Sequence, residues 1–75
     1  MLEKKIRLTE LEEVNEFVHA AERCDFEIDV LYNRVIIDAK SILGVLSLDL
    51  SRELTVKCRG RDSEFETVLR KFATA

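Results

Sequence analysis

The side chains that could do chemistry in this chain are few: one histidine, His19, two cysteines, Cys24 and Cys58, and a run of carboxylates at Glu10, Glu12, Glu13 and Glu16. His19 falls about two turns into a helical pattern, where backbone N–H groups are already engaged and the helix dipole no longer favours an anion. Glu12, Glu16 and Glu22 lie at helical spacing from it. With them it could hold a metal or a phosphoryl group, but Glu and His on one helix face without a cysteine or a second histidine make a poor ligand set. His19 therefore reads as an ordinary surface histidine. The two cysteines are too few for a disulfide framework and read as small buried apolar residues, with a redox or metal role as the alternative. The four carboxylates within seven residues would repel a phosphoryl group, each by roughly 1 kcal/mol at about 4 Å in water. They form either a solvated face or a surface for a basic partner. The chain carries no Gly-rich phosphate loop, no nucleophile elbow and no paired metal-ligand spacing. No catalytic residue, metal or cofactor is assigned, and the chain is not expected to be an enzyme.

The elements that position these residues follow from pattern. Lys4-Lys5-Ile6-Arg7-Leu8 alternates, predicting a half-buried strand with Ile6 and Leu8 inward. Thr9 and Glu12 have the spacing of a capping box that opens a helix. Leu11, Val14, Phe17, Val18 and Ala21 form its apolar stripe, and it should end near Cys24-Asp25. Phe26, Ile28, Val30 and Tyr32 alternate on a second strand. Asn33-Arg34 marks a turn, weaker than Asn-Gly because arginine is strained wherever positive φ is required. Val35 to Ala39 is the return strand. Ser41 supplies a hydroxyl ahead of Ile42-Leu43-Gly44-Val45-Leu46, the pattern of a capped short helix. One face of it, Val45 with Leu48, can pack on a core, which leaves Ile42, Leu43 and Leu46 as an exposed patch of the kind partners use. Glu53 to Arg59 buries Leu54, Val56 and Cys58 on a fourth strand. Gly60 breaks it, Ser63 and Glu66 form a second capping box, and Phe65, Val68, Leu69 and Phe72 line a last helix. The order is βαββαβα, which suits an α+β open-faced sandwich: a four-stranded antiparallel sheet with three helices on one face.

Composition sets the frame. At 75 residues the chain reads as a single domain over residues 1–75, and chains this small bury only about 60% of their unfolded surface. Apolar residues at 47% and charged residues at 36% fit a folded domain. Proline is absent, and only Gly44 and Gly60 punctuate the chain. A net charge of −3 with scattered Lys and Arg argues against nucleic acid. The sequence has no apolar run long enough to span a membrane and no signal-like start, so a cytoplasmic location is expected.

The stretch Tyr32-Asn33-Arg34-Val35-Ile36-Ile37-Asp38-Ala39-Lys40-Ser41-Ile42-Leu43-Gly44-Val45-Leu46-Ser47-Leu48 resembles, without a gap, the centre of HPr proteins, phosphocarriers of the phosphotransferase system. There Tyr-Asn-Gly and then Ser-Ile-Met-Gly-Val-Met-Ser-Leu are typical. Phe17-Val18-His19-Ala20-Ala21 is similar to the middle of the family's first helix. The resemblance implies that Ser41 stands on a serine that a kinase phosphorylates in Gram-positive members, the alternative being a plain helix cap. It also implies that Ile42, Leu43 and Leu46, with Lys40 beside them, dock protein partners, a serine kinase or a transcription regulator among them. Family members carry a Gly-(Ile/Leu)-His-(Ala/Thr)-Arg-Pro loop between the first strand and the first helix, whose histidine takes phosphate from enzyme I. That loop is missing here. Counting back from Phe17-Val18 puts Glu10 and Glu12 on its histidine and arginine positions. The expectation is a non-catalytic regulatory protein, comparable to the family's catabolite-repression paralogues. The alternatives are a carrier with an atypical acceptor at His19, or an assembly module that keeps only the fold. The oligomeric state is open.

Overall fold

Alternation of apolar and polar residues in four segments, and helical spacing in three, produce seven elements in the computed structural model, which describes residues 2–74. They are β1 (Leu2–Ile6), α1 (Leu11–Glu22), β2 (Ile28–Tyr32), β3 (Val35–Asp38), α2 (Ile42–Leu46), β4 (Leu54–Cys58) and α3 (Ser63–Phe72). The order is the expected βαββαβα. The strands form one sheet, β1-β4-β2-β3, with every neighbouring pair antiparallel.

Because successive strand residues point to opposite faces, the sheet sorts its side chains into a core face and an open face. Ile6, Ile28, Val30, Leu54, Val56 and Cys58 are buried against Val14, Phe17, Val18 and Ala21 of α1, Phe65, Leu69 and Phe72 of α3, and Val45 of α2. The Phe17 and Phe65 rings, 5.7 Å between centroids and tilted by 45°, join the two long helices. The register lays the other face out in rows. One runs Glu3, Lys57, Asp29, Asp38 and the next Lys5, Thr55, Leu31, Ile36. The C-terminal segment closes along β1: Arg7 N–H donates to Phe72 at 3.0 Å, Thr74 N–H to Lys5 at 3.0 Å, and Ala73 bridges Ile6.

The structure corrects several details of the sequence reading. Helix α1 begins one residue later than a Thr9 cap requires: Glu10 is the N-cap and makes no side-chain cap bond. Thr9, one position outside, donates both its N–H at 2.8 Å and its hydroxyl at 3.0 Å to Glu13, so the partner is Glu13 and not Glu12, and the exchange runs one way. Leu11 is 59% exposed rather than part of the stripe. At the first helical position its side chain is directed back past the helix start, beyond what the sheet covers. The helix ends at Glu22 with Arg23 as C-cap, short of Cys24. In α3 the cap is Asp62, whose carboxylate accepts from Phe65 N–H at 2.8 Å; Ser63 is already helical, and Glu66 is held by Arg61 through two bonds of 2.8 and 2.7 Å. An aspartate meets the free N–H groups as a serine would and adds a charge that the dipole favours. In the β2–β3 turn only Asn33 takes positive φ, at 54°, so Arg34 escapes the strain expected of it.

Candidate functional site

Helix α2 is built by its two flanking serines and the aspartate before them. Asp38 accepts Lys40 N–H on Oδ1 at 2.9 Å and Ser41 N–H on its carbonyl at 3.0 Å, folding the end of β3 into a turn. Ser41 then adopts extended backbone and its Oγ accepts Gly44 N–H at 3.2 Å, the N-cap expected of it. Ser47 closes the far end, its hydroxyl donating to the Gly44 carbonyl at 2.6 Å. Asp38 was missed as an organiser of this site, although an aspartate two residues before the N–H it binds is a local turn signal.

Val45 and Leu48 are buried, as their spacing required. Leu43 is 79% exposed and Leu46 39%, whereas Ile42 is half-buried and packs on the core. The exposed apolar surface is thus Leu43 with Leu46, and Ile42 contributes only its outer edge. Gly44 lets the helix lie close to the sheet: a Cβ there would come within 2.7 Å of Ile37 Cγ2. Ser41 itself is exposed. Lys40 is turned inward, its ammonium donating to the Cys24 carbonyl at 2.8 Å, so its charge is anchored to the loop after α1 and is not presented beside the leucines.

The mouth of α1 has a different chemistry. The link 7–10 runs straight from β1 into the helix, with Leu8 buried and Glu10 and Glu12 exposed. Hydrogen bonds from Thr9 hold the Glu13 carboxyl below the usual glutamate range. Glu16 accepts Lys71 Nζ at 2.9 and 3.0 Å. His19 sits in the last turn of the same helix, exposed, with Nδ1 3.6 Å from a Glu22 oxygen. Glu10, Glu12 and Glu13 therefore stand at the opposite end of α1 from the imidazole, and Glu16 between them is paired with Lys71.

Cys24 and Cys58 are buried free thiols. Burial pushes both thiols up, Cys58 to about 11, which keeps them protonated near neutral pH. Among the described residues no three His, Cys, Asp or Glu side chains are grouped to hold a metal ion. No helix among them is long and apolar enough to cross a membrane.

The sequence matches the family described as the PTS HPr component phosphorylation site over residues 11–74, from the first residue of α1 to the end of the described chain. A comparison with curated proteins returns no match. Among solved structures, HPr-C-His from Thermoanaerobacter tengcongensis superposes with a TM-score of 0.76 at 26% identity, covering 95% of this chain and 89% of that one. The phosphocarrier protein HPr from Bacillus anthracis str. Ames gives 0.70 at 22% identity, covering 95% of each chain. Crh, the Bacillus subtilis catabolite repression protein, described as a dimer with a swapping domain, gives 0.65 at 22% identity, covering 95% of this chain and 88% of that one.

Proposed function

The chain belongs to the HPr family of the phosphotransferase system, and from that premise we propose that it works by binding proteins rather than by carrying phosphate, with Ser41 as the switch. What supports this reading is a helix mouth without histidine in the same chain as an exposed, serine-capped α2. Where the family resemblance places the histidine and its arginine, this chain has Glu10 and Glu12 at the mouth of α1, and its one imidazole lies at the other end of that helix. The family match itself starts at Leu11, after that link. Meanwhile α2 has an exposed serine cap and two exposed leucines within two turns of it.

A phosphate on Ser41 would add up to two negative charges and three strong acceptors beside Leu43 and Leu46. It would also replace the Oγ bond to Gly44 N–H with a charged one, holding the first turn of α2 while changing the charge of the surface a partner meets. A serine kinase and a transcription regulator are the partners that this reading names. That Crh, a protein of the same fold, is a catabolite repression protein is in line with a regulatory role.

Incubation with enzyme I and phosphoenolpyruvate should leave this protein unlabelled, and a labelled histidine would overturn the reading. The matching serine kinase with ATP should label the wild type and spare Ser41→Ala; wild type that stays unlabelled removes the switch. A carrier that uses His19 has no support from its surroundings: the ring is exposed, its near neighbour is the Glu22 carboxylate, and free helix N–H groups are at the other end of α1.

A further inference from the structure

The two edges of the sheet are treated differently. The outer side of β1 is occupied by the C-terminal segment, through the bonds of residues 72–74 to Lys5 and Arg7. Among the described residues the outer side of β3 has no such cover. Ala39 N–H donates to the Ile28 carbonyl at 2.9 Å, which fixes the phase of the β2–β3 ladder. Hydrogen-bonded pairs alternate in an antiparallel ladder, so Ile37 and Val35 turn their N–H and C=O toward β2 while Ile36 and Asp38 turn theirs outward. The Asp38 carbonyl is taken by Ser41 N–H, leaving the Ile36 N–H and C=O and the Asp38 N–H free for a further strand. Ile36 is 65% exposed, and β3, though only four residues long and ending on Asp38, carries no lysine, proline or bulge to keep its edge unpaired.

We propose that this edge pairs with the same edge of a second copy, antiparallel about a two-fold axis at Ile36. Charge selects both the occupant and the register. Ile36 and Asp38 share the open face and exposed Arg34 stands in the turn just before β3, so a two-fold at Ile36 sets Ile36 against its own copy and, by count, brings Arg34 opposite Asp38 of the other chain, twice. Centring on Val35 or Ile37 instead would set Ile36 against a charged residue, and centring on Asp38 or Arg34 would oppose like charges. A cation there would offset the charge of Asp38. Asp38 stands directly across from Asp29 in the register, a repulsive pair, and the nearby Lys40 ammonium is committed to the Cys24 carbonyl. Among the described residues neither Asp38 nor Arg34 takes part in an ion pair. On the same face Leu31 lies beside Ile36, so the joined sheets would bury a continuous Leu31-Ile36 strip across the axis.

Sedimentation equilibrium of the full chain over a wide concentration range tests this, with circular dichroism confirming the fold of every variant. The wild type should show a monomer–dimer equilibrium. Ile36→Lys should be monomeric, Arg34→Asp should weaken the dimer about tenfold, and Arg34→Asp with Asp38→Arg should restore it, because the cross-axis pairs are re-formed with their signs exchanged. Should Ile36→Lys not fold, Arg34→Asp, at an exposed turn position outside β3, decides alone, since Asp38 also holds the turn into α2. A wild type that stays monomeric up to its solubility limit overturns the proposal, as does a dimer that survives these substitutions or a double exchange no tighter than the single one. Failure here leaves the Ser41 reading untouched, since that is read from kinase labelling of the wild type and Ser41→Ala, in both of which this edge and Asp38 are unchanged.

Discussion

At the scale of single residues, hydrogen bonds at helix starts decide more than hydroxyl spacing suggests. Asp62 satisfies the Phe65 N–H, while Ser63 lies one step inside the helix. Asp62→Ala should therefore lower stability by about 1 kcal/mol, and Ser63→Ala by much less, read from denaturant midpoints. The reverse ranking would restore Ser63 as the cap. A second residue-scale prediction concerns alkali. Below the ordinary thiol value of 9.0 Cys58 is protonated whether folded or not; between there and about 11 the unfolded thiol ionises and the buried one does not. The unfolded state then holds fewer protons, so stability falls as pH rises through that window, by on the order of 2 kcal/mol. Cys58→Ala should be less stable at neutral pH but lose less between pH 9 and 11, and an unchanged slope would remove Cys58 as the cause.

At the scale of elements, the approach of α2 to β3 is set by one missing methyl group. Gly44 lies inside a helix, where alanine is favoured over glycine by about 1 kcal/mol. A Cβ would nevertheless stand 2.7 Å from Ile37 Cγ2, and overpacking of this kind costs about 1 to 3 kcal/mol. Gly44→Ala should destabilise on balance. Adding Ile37→Ala, which removes Cγ2, should make the double variant more stable than the sum of the two single effects. Additive losses would mean that the two residues do not meet. The pattern Ser-Ile-Leu-Gly-Val-Leu marked this helix and its cap correctly from the sequence, but nothing in it foretold that Ile42 would lean on the core or that Lys40 would reach the Cys24 carbonyl. Both depend on where α1 ends, which is a property of another element.

For the molecule as a whole, the core is small enough that one ring matters. A 75-residue chain has a stability of about 4 to 11 kcal/mol at the usual values per residue, and Phe17→Ala, emptying the contact with Phe65, should cost about 3 to 5 of it. Thermal unfolding should show Phe17→Ala near or beyond the limit of folding. Leu43→Ala, at a site 79% exposed, should stay within about 0.5 kcal/mol of wild type while weakening partner binding. Loss of fold in Leu43→Ala would make that leucine structural and end its assignment to a docking surface.

The sequence by itself determined the succession of strands and helices, most of the inward residues of each and the capped α2 helix. Periodicity is local: a pleat repeats every two residues and a helix about every 3.6 wherever the segment ends up. Tertiary structure alone decided which side chain reaches an orphan N–H, that Leu11 lies outside the core, that Lys40 is spoken for, and that β3 is left open while β1 is covered. Those outcomes depend on distances between segments far apart in the chain, and spacing along one segment carries no record of them.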